Sequence, residues 1–299
     1  METSSSEIDY TLPANIEQFT RGTKTLLGGV PGSGKTTSLP TLLLRPEIEG
    51  LFVVGTEPGF EESLLDSAAA LGVDMKKLHY RYVSPTVTSF SALRDAARML
   101  NTNSYEDLGK LKHGINKSQY NQFDNLLDVL ADLKSERDGT EFGAADQLPK
   151  NFALGVDSLT GINKMCYGLH LGGKPAPHQG EWGVIMQFEE NFINTLCSAL
   201  PCFLAMTCHL VKGYNQLTGA PDWTVDALGS KLGPRLPAMF SDAPLQLKEA
   251  GQFYWSTNHS NADTKNRALP IAEKLQPTFT QIVDVWKRRC EIAGVKAGE

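Results

Sequence analysis

The sequence predicts an α/β domain with a mixed, mainly parallel sheet, and three observations predict it. First, Gly29-Val30-Pro31-Gly32-Ser33-Gly34-Lys35-Thr36 has the spacing G-x-x-x-x-G-K-[ST], with the short apolar run Lys24 to Leu27 before it and a helical stretch from Thr37 to Leu44 after it. Second, apolar runs at Gly50 to Gly55, Leu78 to Val83, Phe152 to Asp157 and Pro201 to Cys208 alternate with stretches of helical spacing, as in β-α units. Third, two short strands close together, Ala243 to Leu247 and Gln252 to Ser256, add an antiparallel element late in the chain.

The 299 residues are 41% hydrophobic, enough to bury a substantial core. A net charge of −6 excludes a generally basic nucleic-acid binder but leaves room for a local basic groove. The five cysteines are odd in number and lack C-x-x-C spacing, which predicts reduced thiols in a cytoplasmic protein. No apolar run is long enough for a membrane span, and the polar, acidic start Met1 to Asp9 is unlike a signal peptide.

The glycine-rich stretch carries the chemistry. Its glycines let the backbone turn N–H groups inward onto phosphate oxygens, and the helix that follows adds its positive end. The residues Gly29 to Thr37 form the expected nucleotide cradle. Lys35 reaches the β- and γ-phosphates, and Thr36 offers its hydroxyl to Mg²⁺. Pro40 removes a hydrogen bond and shortens or kinks the helix.

The strand Gly50 to Gly55 ends at Thr56-Glu57-Pro58-Gly59. A carboxylate there points into the crevice where parallel sheets bind ligands, so Glu57 is placed to orient or deprotonate a water. Its alternative is an N-terminal charge for the helix Phe60 to Leu71. Residues 85–150 read as a mostly helical insertion. One helix carries Phe90, Leu93, Ala97 and Leu100, and another, Ser118 to Lys134, carries Phe123, Leu126, Leu127, Leu130 and Leu133. The basic run Lys110, Lys112, His113 and Lys117 lies between them and suits a solvated helix end or a polyanion.

Phe152 to Asp157 is a buried strand ending in a carboxylate, as an Mg²⁺-associated aspartate requires. Ser158 beside it suits either a hydrogen bond to nearby groups or a helix N-cap. After an amphipathic stretch from Trp182 to Leu200, the strand Pro201 to Cys208 ends at His209, a sensor of the γ-phosphate or a histidine satisfied in a turn. Leu210 to Gly229 is predicted as a mobile loop. Phe253, Tyr254 and Trp255 pack or stack, with core packing the expected role. Lys265 and Arg267 flank one residue on an extended segment and so point the same way, either to a phosphate in a neighbouring subunit or simply as edge-strand charges. The locally basic run Trp286-Lys287-Arg288-Arg289 offers a second surface for nucleic acid.

The order of these parts resembles the RecA-like ATPases, and more closely the phage nucleotide-binding proteins that include RecA-like single-strand-annealing recombinases. The matching pieces are GVPGSGKTT, LFVVGTEPG, FALGVDSLTG, FLAMTCH, LGSKLGPRLPAMFSD and TKNRALP, spread over about residues 20 to 289. The resemblance implies a RecA-like P-loop NTPase core over 20–289 with its helical insertion at 85–150, an extension over 1–19 and a tail over 290–299. It implies Glu57 as the catalytic glutamate, Asp157 as the Mg²⁺-associated aspartate, and Lys265 with Arg267 as a pair acting across a subunit boundary. His209 stands where RecA has a sensing glutamine. The stretch Val211 to Gly229 stands at a DNA-binding loop, although Asp222 and Asp226 accompany Lys212 there.

The expected function is therefore an oligomeric, Mg²⁺- and ATP-dependent hydrolase with shared sites. It would act on single-stranded DNA with phage replication or recombination proteins, in the host cytoplasm. The alternative is an ATP-dependent switch that binds a protein partner without DNA. A small-molecule kinase has no acceptor-pocket or lid motif to support it.

Overall fold

In the computed structural model of the chain, the described residues are 15–86, 89–104, 106–107, 120–172, 179–214, 219, 221–229 and 231–298. The short helix α1 (Ile16–Phe19) leads into strand β1 (Lys24–Gly29), which ends at the glycine-rich loop. Helix α2 (Lys35–Ser38) follows, and at Leu39–Leu44 the chain tightens to a 3₁₀ helix with Pro40 in its first turn, the shortening expected of that proline. Next come β2 (Gly50–Gly55), α3 (Phe60–Leu71) and β3 (Leu78–Tyr82).

Between β3 and the next sheet strand lie α4 (Phe90–Thr102), α5 (Gln122–Ala131) and a two-stranded hairpin, β4 (Leu133–Lys134) with β5 (Glu141–Gly143). Helix α5 stops short of Lys134 because Leu133 and Lys134 pair with β5. Phe123 and Leu126 of α5 are buried, whereas Phe90 and Leu93 of α4 are exposed. The basic run at 110–117 lies outside the described residues.

The remaining elements are β6 (Phe152–Asp157), α6 (Leu159–Leu171), α7 (Gln179–Ala199), β7 (Phe203–Tyr214), β8 (Pro221–Val225), α8 (Leu236–Met239), β9 (Leu245–Glu249), β10 (Gln252–Ser256) and α9 (Thr280–Ile292). The main sheet has the order β10-β9-β1-β7-β6-β2-β3, with β8 hydrogen-bonded to β7. Strands β9, β1, β7, β6, β2 and β3 are parallel, while β10 and β8 run antiparallel to their neighbours.

Strands β1, β2 and β6 are buried along their whole lengths, as strands covered on both faces must be. Alternate residues feed two cores. Leu26, Val54 and Leu154 face Ile162, Met165, Ile185 and Ile193 of α6 and α7. Leu27, Val53 and Ala153 face Phe60 and Leu64 of α3 and Ile282, Val283 and Trp286 of α9. Trp286 is fully buried and donates its indole N–H to Thr20 O at 2.8 Å, so this residue of the basic run is a core anchor. Helix α9 carries the chain through residue 290, with Cys290 also buried.

Two local expectations are corrected. Strand β7 does not stop at Cys208. It runs through His209 to Tyr214, and Leu210–Tyr214 pairs with Pro221–Val225 as a hairpin, not a loop. The outer half of that hairpin is solvent-facing, so it lacks the buried alternation that marks a strand. Residues 215–218 and 220 lie outside the described residues. On β10 only Trp255 is a core residue; Phe253 is exposed.

Candidate functional site

Parallel register assembles the site. Gly29 at the end of β1 lies opposite His209 on β7, and Gly55 at the end of β2 lies opposite Asp157 at the end of β6. His209, Asp157 and, just past Gly55, Glu57 therefore meet the glycine-rich loop at the carboxyl ends of the strands. They line a cavity of about 300 Å³ with Pro31, Gly32, Gly34, Lys35, Thr36, Thr37, Glu57, Ser63, Asp157, His209 and Phe253 at its wall.

Gly32 and Gly34 have φ of +73° and +89°, values that a side chain would strain, and Gly34 is the residue from which α2 starts. Ser33 N–H donates to Val30 O at 3.2 Å and closes the turn. Lys35 is buried and folds back on its own loop, donating to Gly29 O at 2.9 Å and Val30 O at 3.0 Å. Burial lowers its pKa, with Asp157 and Glu57 pulling it upward. Thr37 donates its hydroxyl to Gly34 O at 2.8 Å.

Asp157 is buried and held by two hydroxyls. Thr36 Oγ1 donates to Oδ2 at 2.7 Å, and Thr207 Oγ1, from β7, donates to Oδ1. Burial raises the Asp157 pKa, while these two hydrogen bonds and Lys35 oppose the rise. Thr207 had no sequence signal of its own; it reaches Asp157 only because β7 lies beside β6.

Glu57 accepts the Ser158 hydroxyl and has His209 Nε2 at 3.3 Å. Ser158 occupies the N-cap position of α6, but its side chain makes no cap hydrogen bond, so its hydroxyl serves Glu57. Burial lowers the His209 pKa, and Lys35 adds to the effect against the pull of Glu57. A neutral imidazole beside Glu57 is the form favoured at neutral pH. Thr56 stiffens the arrangement: its Oγ1 donates to Ser158 O at 2.8 Å and accepts Ser158 N–H at 2.9 Å. Helix α6 comes so close here that a Cβ on Gly161 would lie 2.1 Å from Thr56 Oγ1.

Lys265 and Arg267 are not brought to this cavity. Lys265 pairs by backbone with Ala243, and its ammonium donates to Ala238 O. Both side chains line a separate 540 Å³ pocket at the amino end of β1, with Arg21, Lys24 and Arg289 and, among the described residues, no carboxylate in its wall. The length of β1 separates the two sites, about 17–20 Å at ordinary strand rise.

No family model matches the chain, and no curated protein matches it. A solved structure of a prototypical ATPase from the type III secretion system of pathogenic bacteria is similar to it at 11% identity and a TM-score of 0.37. The match covers 91% of this chain and 64% of that one. So distant a likeness carries no weight, and the fold is read from its own strands. It is a mixed, mainly parallel α/β sheet with the glycine-rich loop following β1, and its His209 strand lies between the strand entering the loop and the strand ending in Asp157.

Among the described residues no group of three or more His, Cys, Asp or Glu could hold a metal, and no helix is long and apolar enough to cross a membrane. The five cysteines are free thiols.

Proposed function

We propose that this chain binds and hydrolyses Mg-ATP as a RecA-like P-loop ATPase acting on single-stranded DNA in phage recombination or replication. The observation that carries the ATPase reading is one cavity that contains both a phosphate-type loop with Lys35 and a braced pair of carboxylates, Asp157 and Glu57.

The Thr36 hydroxyl and an Asp157 oxygen, 2.7 Å apart beside the loop, are the hard oxygen donors Mg²⁺ takes when it is bound by one carboxylate, substrate phosphates and waters instead of a protein cage. When bound, Mg²⁺ supplies positive charge to the phosphate oxygens. Lys35 exchanges the carbonyls of Gly29 and Val30 for phosphate oxygens, which are better partners for an ammonium. Glu57, aimed by Ser158 and His209, orients the attacking water and accepts its proton. His209 couples Glu57 to the β7–β8 hairpin, because His209 is part of β7 and its carbonyl accepts Asp226 N–H at 2.9 Å.

Lys265 and Arg267 stand at the end of the sheet away from their own loop. There they serve a phosphate held by the next subunit, which makes turnover depend on assembly. The single-stranded DNA part of the reading rests on the resemblance, on this cation-lined pocket and on the solvent-facing hairpin.

The test is steady-state ATP hydrolysis with Mg²⁺, with and without single-stranded DNA, for wild type, Glu57→Gln and Lys265→Ala. Expected are stimulation by DNA, loss of about 10²–10⁴-fold in Glu57→Gln, and partial recovery when the two inactive variants are mixed. Turnover that ignores DNA points instead to a switch with a protein partner, and concentration-independent specific activity removes the shared site. Absence of both binding and hydrolysis overturns the ATPase itself.

A further inference from the structure

The sheet order gives the cavity two different ends. Asp157, His209 and Glu57 all stand on β6, β7 and the end of β2, to one side of the loop that follows β1. Phe253 stands on the other side, on β10, two strands from β1. Strand β10 is antiparallel to β9, so its early residues lie at the edge of the sheet where β1 delivers the loop.

Phe253 is 38% exposed, although Trp255, two residues on and on the same face, is fully buried against Phe279. The Phe253 ring approaches α2 where the loop ends. A Cβ on Gly34 would lie 3.2 Å from the ring and 3.2 Å from Thr37 Oγ1. Lys248, its cross-strand partner, places Nζ 5.3 Å from the ring centroid, a cation–π contact that braces the ring. No aromatic contact involves Phe253 among the described residues, in contrast to the core aromatics.

We infer that Phe253 is the platform of a nucleobase subsite, a reading that rests on the P-loop function proposed above. With the terminal phosphate at the carboxylate end, beside Lys35 and Glu57, the phosphate chain runs along the loop towards Gly34 and Thr37. The nucleoside then emerges on the β10 side, where the exposed ring is the flat apolar surface. A phenyl ring has no donor or acceptor with which to read a base edge, so it selects by stacking area. The subsite takes purines over pyrimidines and discriminates weakly between adenine and guanine.

Calorimetric binding of ATP, GTP, UTP and inorganic tripolyphosphate, each with Mg²⁺, to wild type, Phe253→Ala and Phe253→Tyr tests this. Expected is ATP and GTP binding within a few-fold of each other and tighter than UTP. In Phe253→Ala both purine nucleotides weaken about ten- to a hundred-fold, tripolyphosphate is unchanged, and Phe253→Tyr behaves as wild type. Equal weakening of tripolyphosphate and ATP in Phe253→Ala overturns the subsite, because the ring then only braces Gly34. Unchanged ATP affinity overturns it too. A wild type that binds tripolyphosphate and not nucleotides any more tightly also rejects the subsite while leaving the loop intact. A wild type that binds neither rejects the loop reading itself.

Discussion

Replacing Glu189 by glutamine should stabilise the protein, and should do so only when the pH is high enough. Glu189 lies on α7, fully buried. One carboxyl oxygen accepts Leu228 N–H at 3.1 Å, and the other has no partner. Burial raises its pKa from 4.5 to about 7; the Leu228 hydrogen bond opposes the rise and the charge of Asp226 adds to it. Below pH 4.5 the group is protonated in the folded and the unfolded chain alike, and stability is unaffected. As the pH rises the unfolded chain releases the proton first, so stability falls until the folded group also ionises near pH 7. The distance from 4.5 to about 7 corresponds to about 3 kcal/mol. Glutamine keeps the acceptor for Leu228 N–H, never ionises, and can turn its amide towards Asp226. The variant should therefore gain most of that 3 kcal/mol at pH 8, raising Tm by about 5 °C for a chain of this size, and about 1 kcal/mol or less at pH 5. Differential scanning calorimetry at the two pH values reads this directly. An equal gain at pH 5 and pH 8, or a loss at pH 8, refutes the reasoning.

Two further outcomes follow from the braces around the carboxylates. Thr207→Val removes a buried hydroxyl donor to Asp157 while keeping the shape, and should cost about 1.5–3 kcal/mol in urea denaturation, with weaker Mg²⁺-dependent nucleotide binding. Gly161→Ala would place its methyl against the Thr56 hydroxyl, which spans the Ser158 backbone. It should destabilise by about 1–3 kcal/mol and lower kcat more than it raises KM, measured by steady-state kinetics, although residue 161 is absent from the cavity wall.

These braces join residues far apart in the chain. Thr56 to Ser158, Glu57 to His209 and Asp157 to Thr207 each link the ends of different strands, so the two carboxylates are oriented by the sheet as a whole. The hairpin hangs from the same assembly through the Asp226 bond to His209 and the Leu228 bond to Glu189. His209 therefore joins the hairpin to Glu57, its carbonyl accepting Asp226 N–H and its imidazole lying 3.3 Å from the carboxylate.

What the sequence by itself determined is what local chemistry encodes. The contiguous loop Gly29 to Thr36 needs glycines, a lysine and a hydroxyl in fixed order, so it is legible without any neighbour. The strands ending at Gly55 and Asp157 are legible for a related reason, since burial on both faces makes each a short unbroken apolar run. The helical period of Leu159, Ile162, Met165 and Cys166 in α6 and of Ile282, Val283, Trp286 and Cys290 in α9 is also present in the sequence. In α6 it is masked by Gly161 and Gly168, and in α9 by the charges around Trp286. Only the tertiary structure decided which distant groups meet. The pairing of Gly29 with His209 and of Gly55 with Asp157 follows from strand order, and strand order is set by how whole β-α units pack against one another. For the same reason Thr207 reached Asp157, Ser158 turned to Glu57 and Phe253 came to rest on the loop, while Lys265 and Arg267 were left at the opposite end of β1.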